Sequence, residues 1–255
     1  YAESNNVLYS HPTTLATDIL TNHPNTLLLQ PSFDRQAQQG FDFMRSQPST
    51  NRKVAIYYGS SRRDSTLAIA YRSKATNAGF QVLDFRKTRE KLDSTATISE
   101  INKPGHVALF SSVESDGTKI LNMLTKKRVN APLLASSLAF NMQNITPSFF
   151  SGREVYLIDT DFIDTAKPLV KEFQTGYFAK RNTIPSIYAM QGYDALLFFG
   201  RLLHKYRNQF RSGLDTRIYA DDYLLTGFNY KNSNDNQVVP IVKMDDMRWV
   251  LANGQ

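Results

Sequence analysis

Cysteine is absent from the 255 residues. That absence excludes disulfides, thiol nucleophiles and cysteine-ligated zinc, and it is compatible with an oxidising compartment without establishing one. No apolar run approaches the length of a membrane span; the longest candidate, Ala195 to Leu203, is broken by Gly200 and Arg201. The phosphate cradles GxGxxG and GxxxxGK[ST] are missing, and no serine sits in GxSxG. The four histidines, His11, His23, His106 and His204, show no metal-ligand spacing. These gaps remove the usual signatures of nucleotide, metal and serine-hydrolase chemistry, so the expectation is a non-enzyme without a cofactor. Neither an initiating Met nor a secretory signal stands at Tyr1, which suggests a mature or trimmed product.

What is present is ordinary for a soluble globular protein: 41% hydrophobic and 21% charged residues, in a chain long enough for two lobes. The net charge of +7 would suit nucleic acid, anionic lipid or a polyanionic wall polymer. The basic residues are scattered, however, in Arg62-Arg63, Lys126-Lys127-Arg128 and Lys180-Arg181, and form no single stripe interleaved with aromatics. A solvated basic surface, with no nucleic-acid partner, fits them better.

One stretch organises the chain. Val54 to Tyr58 is a short apolar run of the kind that forms a strand buried on both faces. A polar turn, Gly59 to Asp64, follows it. Asp64 or Ser65 can cap a helix whose apolar positions are Leu67, Ala70, Tyr71, Ala75 and Ala78. Gly79 supplies the left-handed residue that stops the helix, and Phe80 to Phe85 starts a second strand. The unit is βαβ, and its turn opens at the carboxyl edge of a parallel sheet, where such folds bind ligands.

Apolar strand candidates then begin near Lys53, Phe80, His106, Pro132 and Glu154, at intervals of 27, 26, 26 and 22 residues, with helical patterns between them. This alternation predicts a doubly wound parallel α/β sheet. Residues 1–50 hold two short strands, Asn6 to Tyr9 and Thr26 to Gln30, a helix start at Thr13 or Thr14, and a helix carrying Ala37, Phe41 and Met44. Residues 51–165 form the α/β core. Residues 166–255 supply a helix, the break at Asn182 to Pro185, a long helix with Tyr193 on its apolar face, and two strands separated by the loop Asn232 to Asn236. Tyr193 and Asp194 are expected to be structural.

The carboxyl ends of the strands carry Ser60, Ser61, Arg62 and Arg63, then Ser111 and Ser112, Ser136 and Ser137, and Asp159. Hydroxyls and carboxylates predominate there, which suits a polar or acidic ligand; solvated loops are the competing reading. Asp159 and Asp161 are either paired carboxylates for acid–base work or helix caps.

The order of elements resembles the type I periplasmic binding proteins, of the branched-chain amino-acid-binding and receptor ligand-binding group. Three stretches carry it: VAIYYGSSRRDSTLAIAYRSKATNAGFQV, KEFQTGYFAKRNTIPSIYAMQGYDALLFFGRLL, and Leu224 to Leu251 with Thr226-Gly227-Phe228-Asn229-Tyr230 as a closing hairpin. The resemblance implies two α/β lobes closing on a small ligand, with the first lobe shortened. Tyr9 to Thr14 matches the ligand loop of that lobe. The family's aromatic contact falls on Arg63, and its acidic contact falls near Ser136 to Leu138, so neither chemistry is kept. The implied function is non-catalytic binding of a small polar or acidic, amino-acid-like solute in the periplasm or cell envelope, for ABC transport. The alternative is a degenerate fold acting as an envelope scaffold that holds a protein partner and no small ligand.

Overall fold

A computed structural model describes residues 4, 7–12, 14–48, 51–90, 96–141, 145, 147–150, 152–214 and 222–253. In chain order it contains β1 (Tyr9–His11), β2 (Thr26–Leu28), α1 (Phe33–Ser46), β3 (Lys53–Tyr58), α2 (Arg62–Asn77) and β4 (Gln81–Lys87). There follow β5 (His106–Phe110), α3 (Asp116–Lys126), β6 (Leu133–Ser136) and β7 (Val155–Ile158). The chain continues with α4 (Pro168–Arg181), α5 (Ile187–Tyr206), the short α6 (Phe210–Gly213), β8 (Ile241–Asp245) and β9 (Arg248–Leu251). The strand starts expected at Lys53, Phe80, His106, Pro132 and Glu154 each lie within one residue of a strand.

These elements make two compact units. The first combines Tyr1–Ser32 with Thr160–Val238, and the second combines Phe33–Asp159 with Val239–Gln255. The division is discontinuous, unlike the consecutive segments 1–50, 51–165 and 166–255. Helix α1 goes with the second unit because Ala37, Phe41 and Met44 bury in one cluster with Leu67 and Tyr71 of α2 and with Ile56 and Phe110 of the sheet. Val239 and Ile241 join the same cluster from the far end of the chain.

The second unit is a seven-stranded sheet in the order β4-β3-β5-β6-β7-β8-β9. It is parallel from β4 to β7, and β8 and β9 add antiparallel at one side. Strand β5 shows why: all five of its residues are buried, and after His106 its sequence is continuously apolar. Alternate residues serve the two faces. Val54, Ile56, Ala108 and Phe110 join the cluster under α1 and α2, while Ala55, Tyr57, Val107 and Leu109 are equally buried on the other face. The order reverses at β3, so right-handed crossovers put α2 and α3 on opposite faces. Gly79 has φ 79°, as a helix-ending glycine requires.

The hairpin differs from expectation. It joins β8 to β9 through Asp246 and Met247, at φ 44° and 62°, the twist that a tight antiparallel turn demands. The loop Asn232 to Asn236 separates no strand pair among the described residues; its side chains bond the backbone of the first unit instead. There Asn236 donates to the Leu29 carbonyl and accepts from the N–H groups of Asn229 and Val238. Asp235 receives both the N–H and the hydroxyl of Ser32, at 2.9 and 2.6 Å.

The rest of the first unit is built on α5. Ser186 caps it by accepting from the N–H of Ala189. Phe198 and Leu202 pack with Leu27 of β2 and with Tyr223, Phe228 and Tyr230, whose hydroxyl donates to the Leu28 carbonyl at 2.9 Å. Strands β1 and β2 pair in parallel, Tyr9 opposite Thr26. Among the described residues, the segment between them holds one 3-10 turn, Thr17–Leu20; of the expected start at Thr13 or Thr14, Thr14 is not helical and Thr13 lies outside the described residues. Asn6, in the first expected strand, lies outside them as well. Tyr193 is 38% exposed and packs one side of its ring on Phe173, so the burial expected of it is corrected. Position 193 of α5 turns outward because neighbouring Asp194 takes the inward direction.

Candidate functional site

Each unit offers a separate polar feature. In the second, the β3–α2 turn is set by a capping box: the Ser61 hydroxyl accepts from the Asp64 N–H at 3.0 Å, and the Asp64 carboxylate accepts from the Ser61 N–H. The helix therefore starts at Arg62, earlier than a cap at Asp64 or Ser65 would place it. Arg62 and Arg63 are exposed in its first turn, where cations face the positive end of the helix dipole. Arg63 rests 5.9 Å over the ring of Phe33. Ser60 is exposed.

The remaining strand-end residues are mostly engaged with one another. Ser112 donates to Asp64 at 3.1 Å, and buried Ser111 donates to Asp116 at 2.6 Å. Asp116 also receives the Thr88 hydroxyl and the Lys119 ammonium. Burial raises the Asp116 carboxyl, but these three donors outweigh it and hold the group below its usual range. Ser137 donates to Asp159 at 3.2 Å, and Ser136 is half-buried at the end of β6. The structure thus brings Ser61, Ser112 and Asp64 together, and separately Ser137 and Asp159.

In the first unit lies a cavity of about 290 Å³. Its apolar wall comes from Pro12, Leu29, Pro31, Leu225, Phe228 and Val238. Its polar members are Gln30, Thr160, Gln191, Asp194, Thr226 and Asn236. Two of these are committed to structure. Asn236 makes the three bonds given above. Asp194, 1% exposed, accepts from the N–H groups of Leu224 and Leu225, each at 2.9 Å, so its expected structural role has a geometric basis. Burial raises its carboxyl, opposed by those two N–H groups and by Lys167. Gln30 and Gln191 each donate their amide NH2 to Oδ1 of Asp161, at 2.8 Å.

Sequence reasoning missed Gln30 and Gln191. A glutamine carries no motif, and their common partner Asp161 was legible only as a strand-end carboxylate. Among the described residues no group of three His, Asp or Glu side chains could hold a metal ion, and no helix is long and apolar enough to cross a membrane.

A concave, largely apolar cavity with a few placed polar groups is the form of a small-solute site, and the comparisons agree with that class. The sequence model described as periplasmic binding protein matches residues 1–249, and the chain belongs to that family. A structure assigned as a branched-chain amino acid ABC transporter from Rhodospirillum rubrum is 17% identical, with a TM-score of 0.68, over 98% of this chain and 74% of that one. An ABC transporter substrate-binding protein from Desulfitobacterium hafniense, in complex with Leu, is 17% identical with a TM-score of 0.58 over the same shares. A leucine binding protein from Thermotoga maritima is 15% identical, with a TM-score of 0.58, over 98% of this chain and 73% of that one. At these identities the likeness is one of fold. A comparison with curated proteins found no match.

Proposed function

We propose that the chain is a non-catalytic, extracytoplasmic solute-binding protein that takes a small, amino-acid-sized molecule and presents it for transport. The observation that carries this is the first unit's cavity of about 290 Å³, apolar on one side and bordered by Gln30, Gln191 and Thr226. A fold retained only as scaffold has no reason to keep such a space open, because filling it with larger side chains would add buried contacts. Family membership supports the reading. In the second unit, we propose the exposed Ser60, Arg62 and Arg63 as a separate element that recognises anions.

A thermal-shift screen across amino acids, dicarboxylates, amines and wall fragments tests the proposal. A solute present at 100 times its Kd should add about 2.7 kcal/mol to stability. Failure of every member to stabilise the protein would return the weight to the scaffold.

A further inference from the structure

The basic surplus of the chain does not extend to the first unit. Lys and Arg outnumber Asp and Glu by 20 to 13 in the second unit, and the two signs balance at 10 each in the first. The charged residue among the cavity's described lining is acidic. No Lys, Arg or His is among its described lining residues, whereas Asp194 is, and Asp161 is bonded to two more. Lys167 is close enough to act on Asp194, which is already engaged with two N–H groups.

Two amides there have a fixed polarity. The NH2 groups of Gln30 and Gln191 share one carboxylate oxygen of Asp161. An ionised carboxylate only accepts, so neither amide can be reversed without setting its oxygen against that charge. Each glutamine is left with its carbonyl oxygen as the acceptor not used on Asp161, and both residues line the mostly apolar cavity. Burying such acceptors without donors is costly, so they favour a solute that brings N–H groups. Tyr188 and Phe228 line the same cavity, and aromatic faces attract cations. A carboxylate or phosphate would meet two amide acceptors and, among the described lining residues, no Lys, Arg or His.

The geometry points to an ammonium-bearing solute with a small hydrocarbon body, and against one whose head is a carboxylate, as the occupant of the first unit's cavity. This rests on the reading that the cavity binds solute at all. Isoamylamine and isovalerate share one branched hydrocarbon and differ in the head group, so calorimetric titration of each into the full chain isolates the head. The amine should bind at least about tenfold more tightly, a difference of about 1.4 kcal/mol. Asp161→Lys, at an exposed position, should cost the amine about tenfold or more and improve the carboxylate. Isovalerate binding as tightly as the amine overturns the inference and leaves the proposed function standing. Amine binding that Asp161→Lys does not change also overturns it, as does binding of neither probe when some other solute of the screen binds. Binding of nothing at all defeats the proposed function itself.

Discussion

The hydroxyl of Tyr71 lies 2.8 Å from Nε2 of His106, and both side chains are buried between α2 and the start of β5. Burial lowers the imidazole to about 4 and raises the phenol, so the pair is neutral across the physiological range. In the unfolded chain His106 protonates below its ordinary value of 6.5. Between pH 6.5 and about 4 the unfolded state therefore binds the extra proton, and stability falls as pH falls. The full loss is on the order of 3 kcal/mol. Denaturant midpoints measured from pH 7 to 4 should show it, and His106→Gln should flatten the decline. An equal decline in that variant would assign it to carboxylates instead.

Asp194→Ala should destabilise the first unit by about 3 kcal/mol, because the buried N–H of Leu224 and the half-buried N–H of Leu225 would both lose their acceptor. Asp194→Asn should cost less, since one amide oxygen can still accept. Urea unfolding of both variants decides the point; equal and small effects would mean water takes over the N–H groups.

Gly59→Ala should cost about 2 kcal/mol. A Cβ there would stand 2.3 Å from Oδ2 of Asp64 and 2.7 Å from the hydroxyl of Ser111, so the capping box has to open. Gly176→Ala, where a Cβ meets nothing within 4 Å, is the control and should be neutral or mildly stabilising. Equal behaviour of the two would show that the turn yields freely.

The sheet of the second unit was readable because each strand carries its own signal: VAIYY is hydrophobic throughout, HVALF is apolar after His106, and polar turns punctuate them. The hairpin was misplaced because Asn232 to Asn236 has the composition of a turn, yet its amides work as backbone surrogates for Leu29, Asn229 and Val238. The cavity was readable only through the resemblance, which pointed to Tyr9–Thr14 and Thr226–Phe228, stretches that supply Pro12, Thr226 and Phe228 to its lining. Gln30 and Asp161 are 131 positions apart, and only folding brings Gln191 onto the same carboxylate oxygen. The hydroxyls at the strand ends were found, but composition could not say that Ser61, Ser111 and Ser112 spend themselves on Asp64 and Asp116.

For the second unit, the Arg62→Ala, Arg63→Ala double variant should weaken binding of a dicarboxylate probe about tenfold, and the wild-type affinity should fall as salt rises. The fold should survive, because both side chains are exposed and the Ser61–Asp64 cap is untouched. Unchanged affinity for that probe would show that the two arginines serve solubility alone.

The central claim is that the first unit's cavity holds the solute, and Gly192 gives the most direct test. It lines the cavity from within α5, and a Cβ added there meets nothing within 4 Å. Gly192→Phe should therefore fold as well as the parent, with a gain of a few tenths of a kcal/mol from helix propensity, while obstructing the space. Calorimetric titration of the best-binding solute of the screen into both proteins should show binding in the parent and at least about a hundredfold loss in Gly192→Phe, roughly 2.7 kcal/mol. A folded Gly192→Phe variant that binds that solute with the parent's affinity would contradict the account.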